Sequence, residues 1–130
     1  MAQLSITRGT TTLNPDQWDG YGPARERLFR TLTDNSIDNV VVLAGDIHSS
    51  WCNDIARNPW SAGYSPATGQ GVLAVEFVTP AVTSPPPPPQ PGQTPQQAAA
   101  GLRAVSPHMK YVDLEKRGYV VLDIDRHRVQ

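Results

Sequence analysis

Asp46 and His48 stand two residues apart, directly after the apolar run Val40-Val41-Val42-Leu43, in the segment Ala44-Gly45-Asp46-Ile47-His48-Ser49-Ser50. In an extended backbone, side chains two apart leave the same side of the chain. This spacing therefore presents a carboxylate and an imidazole together at the mouth of a strand. A carboxylate is a hard oxygen ligand for calcium or a trivalent ion, whereas an imidazole nitrogen suits a transition ion such as iron or zinc. The pair fits two neighbouring metal ions. Gly45 lets the backbone turn closely beside them, and Ser49 and Ser50 can orient the ligands or contact a phosphoryl oxygen. Taken alone, the same residues also fit a turn capped by Asp46 next to a hydrogen-bonded surface histidine.

The elements that must position this pair follow from the flanking pattern. Pro23 near a helix start, with Leu28, Phe29 and Leu32 on one stripe, predicts an amphipathic helix of about three turns. Asp34-Asn35-Ser36 ends it and Asp38-Asn39 turns the chain. Val40 to Leu43 then reads as a central strand buried on both faces, and helix, short loop, strand is an α/β signature. Open α/β sheets place ligands at the carboxyl ends of their strands, where Asp46 and His48 fall. A second strand is predicted over Gly71 to Thr79, with Leu73, Val75 and Phe77 on one face and Val72, Ala74 and Val78 on the other. Gln96 to Ala100 predicts a short helical turn, and Gly118 to Ile124 a third strand with Val120, Leu122 and Ile124 on one face. Asp125-Arg126-His127 turns toward Arg128-Val129-Gln130, the start of a returning strand. Residues 1–13, rich in Thr and Ser, read as a loosely structured lead-in.

Composition narrows the function. The chain has 130 residues with 13 Pro, and the proline-rich stretch 84–97 favours an extended polyproline conformation that stays out of a sheet interior. It reads as a surface insertion, and its alternative as a ligand for a polyproline-binding domain lacks a flanking basic residue. Removing it leaves a thin core, and three strands with one clear helix suggest part of a larger domain. The 11 Lys and Arg against 12 Asp and Glu create no field that would draw nucleic acid. No apolar run approaches the ~20 residues of a membrane span. The single Cys excludes an internal disulfide framework. With Met1 as the start, no export signal is present.

Three blocks carry a resemblance: Asn14-Pro-Asp-Gln-Trp-Asp-Gly-Tyr21, Val40-Val-Val-Leu-Ala-Gly-Asp-Ile-His-Ser-Ser-Trp51 and Pro107-His-Met-Lys-Tyr-Val-Asp-Leu-Glu-Lys-Arg-Gly-Tyr119, with a Val-Glu-Phe-Val-Thr-Pro strand between the last two. In order and separation, residues 14–130 resemble the carboxy-terminal portion of the alkaline phosphatase D (PhoD-like) metallophosphatase family. That resemblance implies part of a two-sheet α/β metallophosphoesterase sandwich and hydrolysis of phosphate mono- and diesters with iron and calcium. It matches His48 to the transition-ion ligand and Asp46 to the calcium ligand. It also implies that an earlier half, which this chain does not match, supplies a Cys, further Asp residues, a Tyr and an Asn. Members of the family are typically exported.

Other candidates carry two readings each. His108 can reach the phosphate or a metal edge, or be an exposed histidine after a proline turn. Asn53 and Asp54 can back the ligand loop or cap a short helix. Trp18, Tyr21 and Trp51 can wall a cleft, although aromatics near turns are more often core residues. Glu76 is a paired or ligand-facing carboxylate, or an edge residue. Cys52 reads as a small buried residue, and Tyr111, Asp113 and Arg117 receive no role. Two functions follow: a metal-dependent phosphoric-ester hydrolase acting on a small phosphate ester and needing the absent half, or a non-catalytic remnant that at most binds a partner.

Overall fold

The computed structural model describes residues 5–7, 11–12 and 15–129. The elements run β1 Ser5–Thr7, β2 Thr11–Thr12, α1 Gly22–Asp34, β3 Val40–Ala44, β4 Ser50–Ala56, β5 Val72–Val78, α2 Pro95–Val105 and β6 Met109–Asp113. β1 and β2 pair antiparallel as a separate two-stranded unit, and the remainder of the 1–13 lead-in lies outside the described residues. The main sheet has the order β3-β5-β4-β6, with β3 parallel to β5 and the other pairs antiparallel. Among the described residues, no helix is long and apolar enough to cross a membrane.

Local chemistry explains the helix ends. Pro sits in the first turn of α1, where its fixed φ suits a helix start and its missing N–H would be unpaired anyway. At the other end the Ile37 amide donates to the Leu32 carbonyl at 2.8 Å and the Ser36 amide to Thr33 at 3.2 Å, with Ser36 at φ 52°. This is a Schellman termination with serine where glycine is usual. α2 starts on a capping box: the Gln97 amide donates to Thr94 Oγ1 at 3.2 Å, and the Thr94 amide donates to Gln97 Oε1 at 2.8 Å.

The core lies on one face of the sheet in two clusters. Phe29 of α1 packs on Ile55 and Ala74, with Val40 and Val42 beside them. Ala99 of α2 packs with Trp51, Val78, Met109 and Val112. Between the clusters, Asn53 and Glu76 stand opposite in register and Asn53 Nδ2 donates to Glu76 Oε2 at 2.9 Å. The opposite face is far less covered. Leu43 there is 65% exposed and Tyr111 47%, while Val75, Phe77 and Cys52 are half-buried.

Several expectations need correction. β3 is not central: only β5 pairs with it among the described residues. A β-branched run signals two faces suited to burial, but its place in a sheet depends on which edges find neighbours. The predicted strand over 118–124 is not one. Among the described residues its only ladder contact is an isolated Ile124–Val129 bridge, with Tyr119 81% and Val121 74% exposed. Alternation makes a segment able to pair, yet the free edge of β4 is taken by β6. That bridge does belong to the turn expected at 125–127, where Asp125 Oδ1 accepts the amides of His127 and Arg128 at 2.7 and 3.0 Å. The short turn expected over 96–100 is an 11-residue helix, and its capping box was readable in Thr94-Pro-Gln-Gln97. The proline stretch before it stays outside the sheet.

Replacing the cap tests whether α2 depends on it. Thr94→Ala is expected to cost about 1 kcal/mol and to lower the melting temperature by about 4 °C; an unchanged melt would show that packing alone holds the helix start.

Candidate functional site

Residues 45–49 connect β3 to β4, and backbone hydrogen bonds define their path. The Ala44 carbonyl accepts the Thr79 amide at 2.9 Å, which clamps the end of β3 to the residue after β5. The Ile47 amide then turns back onto the Gly45 carbonyl at 3.0 Å, with Asp46 between them at φ 73°. That bond and that angle define a γ-turn centred on Asp46, a tight and strained form. His48 follows at φ 59°. The backbone here is thus not extended, and the pair projects from a folded knuckle rather than from one side of a straight strand. The left-handed conformations fall on the candidate ligands themselves, whereas Gly45 keeps an ordinary φ and faces Thr79, whose Cγ2 an added β-carbon would meet at 3.4 Å. Sparsely populated backbone states of this kind persist only where surrounding structure enforces them, and they cluster at functional sites.

The enforcement comes from Ser49 and Trp51. Ser49 is fully buried; its hydroxyl accepts the Trp51 indole N–H at 2.7 Å and donates to the Ile47 carbonyl at 3.3 Å. Trp51 is itself buried in the larger core cluster and Ile47 packs against that cluster. Ser49 therefore ties the knuckle to the sheet, with its hydroxyl already committed within the loop. Ser50 opens β4 opposite Asp113. Burial pushes the Asp113 carboxyl up, but the amides of Lys116 and Glu115, the Lys116 charge and the Tyr111 hydroxyl outweigh it and hold the group below the ordinary aspartate range.

His48 Nδ1 lies 3.2 Å from the Pro85 carbonyl, the first residue of the proline run. A carbonyl can only accept, so Nδ1 is the donor in this contact and Nε2 is not committed to it. Metal-bound histidines are commonly oriented in this way. The proline stretch is itself pinned, Arg117 Nε donating to the Ser84 carbonyl at 3.2 Å and the Gly118 amide to Ala81 at 3.2 Å. Asp46 is exposed. The donor set, one imidazole nitrogen and one carboxylate, suits the two ion types expected for it. Among the described residues no group of three or more His, Cys, Asp and Glu side chains could hold a metal.

The remaining candidates lie elsewhere. His108 is 1% exposed, its ring edge-on to Trp60 with centroids 5.4 Å apart, and its carbonyl accepts the Asp54 amide at 2.9 Å. It therefore sits beside Asp54, four residues along β4 from the loop or about 13 Å at 3.3 Å per residue. The structure does not bring it to Asp46 and His48, and it is not the exposed histidine of the alternative either. Asn53 is held by Glu76 beneath the sheet, and Asp54 accepts the Tyr64 hydroxyl at 2.7 Å and pairs with Lys110 at 2.9 Å. Neither caps a helix, because both belong to β4. Glu76 lies in the middle of the sheet and not at an edge. Trp18 and Tyr21 precede α1 and are 36% and 52% exposed, while Trp51 is core. Burial raises the Cys52 thiol. The sequence reading missed the Pro85 carbonyl, which no side-chain motif can announce, and the Ser49–Trp51 bond, whose two-residue spacing was visible without its partners.

A four-stranded mixed sheet with helices on one face defines the class, an α/β protein, which carries a carboxylate and an imidazole on the strained loop after its edge strand β3. Within that class the chain belongs to the PhoD-like phosphatase family, which matches residues 1–130. It is 27% identical over 122 residues to alkaline phosphatase D of Bacillus subtilis (strain 168), a match covering 94% of this chain and 19% of that protein. A solved structure of PhoD superposes with a TM-score of 0.60 at 27% identity, over 80% of this chain and 18% of that one. The chain thus spans about a fifth of the relatives it matches.

Two predictions follow from the geometry. Asp46→Gly removes the left-handed penalty at the γ-turn and is expected to raise stability in urea by about 0.5 kcal/mol, the gain from relieved backbone strain exceeding glycine's entropic cost; Asp46→Asn is expected to leave the midpoint unchanged. Tyr64→Phe is expected to cost about 1 kcal/mol through the lost bond to Asp54. Burial first, then the Asp54 bond and charge, raise the Tyr64 phenol above its ordinary value. Its stabilisation is therefore complete below the unfolded value of about 10 and is lost as pH rises through the folded one. The gap between Tyr64→Phe and the parent chain should shrink in denaturation curves taken above pH 10.

Proposed function

We infer that this chain contributes part of the metal site of a phosphoric-ester hydrolase of the alkaline phosphatase D type. The observation that carries the reading is the knuckle at the end of β3, which presents His48 with Nε2 available and Asp46 exposed. His48 would hold a transition ion such as iron, and Asp46 a neighbouring calcium. Such ions, when bound, lower the pKa of a water and neutralise phosphoryl charge. The chain's own residues prepare for this. The Pro85 carbonyl orients the imidazole through Nδ1, the γ-turn at Asp46 shapes the loop that carries both donors, and Ser49 ties that loop to the core. The substrate is a small phosphate mono- or diester whose oxygens face these two donors. Calcium takes about six to eight oxygens, so the further ligands come from polypeptide that the relatives possess and this chain does not match.

One feature favours a second reading, in which the chain acts by assembly and not by catalysis. The face bearing Leu43, Phe77 and Tyr111 is open and, among the described residues, β3 is an edge. A sheet of this kind is ready to pack on another layer.

Hydrolysis of a chromogenic phosphate monoester at alkaline pH, with iron and calcium added, separates the readings. With only two donors of the set, turnover by the parent chain is expected to be slow yet above that of Asp46→Asn and His48→Ala, and the His48 change is expected to weaken iron binding in a direct titration. Equal rates for all three would leave the assembly reading in place.

A further inference from the structure

Beside the Asp46–His48 loop lies a groove of about 490 Å³, lined by Ile47 and Trp51, by the proline run at Pro87–Pro89, and by Gly101, Leu102 and Leu114. This is the size and apolar character of a small-molecule site. Ile47, which stands between the two candidate ligands in the chain, and Ser49 line the groove while Asp46 and His48 do not, so an occupant abuts the loop and reaches the ligands only beyond the groove's lining.

Gly101 supplies the second observation. It lies inside α2, where glycine is the least favourable residue after proline. Its φ is not left-handed, and a β-carbon placed on it would meet nothing within 4 Å. Neither a turn nor a close backbone approach calls for glycine here, and Gly101 is among the residues that line the groove. Violations of local preference of this kind are expected where a binding function sets the residue.

We propose that the groove holds the alkyl group of the phosphate ester whose phosphoryl oxygens meet Asp46 and His48, making it a subsite for hydrophobic alcohols. This rests on the reading of the loop given above, and it names the substrate class. The proline run then serves twice: the Pro85 carbonyl orients His48 and Pro87–Pro89 line the alkyl site.

The test is a titration of the full chain with n-alkyl alcohols from butanol to octanol, read by NMR at the Trp51 indole N–H and the Gly101 amide. Affinity should rise about fourfold for each added methylene that is buried. Gly101→Leu should weaken octanol binding at least tenfold while melting at or above the parent temperature. A series that is flat in chain length, or octanol binding unchanged by Gly101→Leu, would overturn the groove. A lower melting temperature for Gly101→Leu would also overturn it, because the space would then be filled by the chain's own residues. Methylphosphonate with calcium and zinc, read at the His48 ring, tests the loop separately. If it leaves His48 unmoved, the ester assignment fails through the loop, and the alcohol series shows whether the groove failed with it.

Discussion

The bond from the Trp51 indole to the buried Ser49 hydroxyl is the constraint on which the site depends. Trp51 has two commitments at once: its ring fills the cluster formed with Val78, Ala99, Met109 and Val112, and its N–H fixes the loop. A polar tip on an apolar body is what makes tryptophan suited to this. Because Ser49 in turn donates to the Ile47 carbonyl, the γ-turn at Asp46 cannot relax without uncovering a buried hydroxyl. The strain at Asp46 and His48 is local; the interactions that sustain it belong to the core.

The same core shows why the chain is organised as it is. Both helices cover one face of the sheet, α1 toward the Phe29 cluster and α2 toward the Trp51 cluster, and the Asn53–Glu76 pair fills the interval between them. A carboxylate buried to this degree is tolerated only where it is hydrogen-bonded, and Asn53 is the residue placed opposite it in register. The other face keeps Leu43 and Tyr111 exposed. A sheet with one finished face and one open apolar face matches a chain that spans about a fifth of its relatives.

The proline-rich stretch also changes in meaning. Composition identified it as a surface excursion, and it does stay outside the sheet. Its position gives it work: one carbonyl orients His48, and its rings line the groove beside Trp51. Proline lacks an N–H, so a run of it offers carbonyls without competing donors, which suits a segment that accepts a hydrogen bond from an imidazole.

Residue patterns alone determined the α/β class, the helix over Gly22–Asp34, the strands around Val40 and Val72, and the placing of Asp46 and His48 at a strand's carboxyl end. These rest on local periodicity and turn chemistry, which are written along the chain. β4 and β6 were not legible, because Asn53, Asp54 and Lys110 break any apolar alternation and the two strands exist through their pairing with each other and with β5. The tertiary structure alone decided that β3 lies at an edge and that residues 118–124 form no strand. It also set His108 against Trp60 far from the loop, and turned the Pro85 carbonyl toward His48. Each of those depends on which distant segment reaches a given edge or side chain, and a period of two or of 3.6 residues carries no information about distant neighbours.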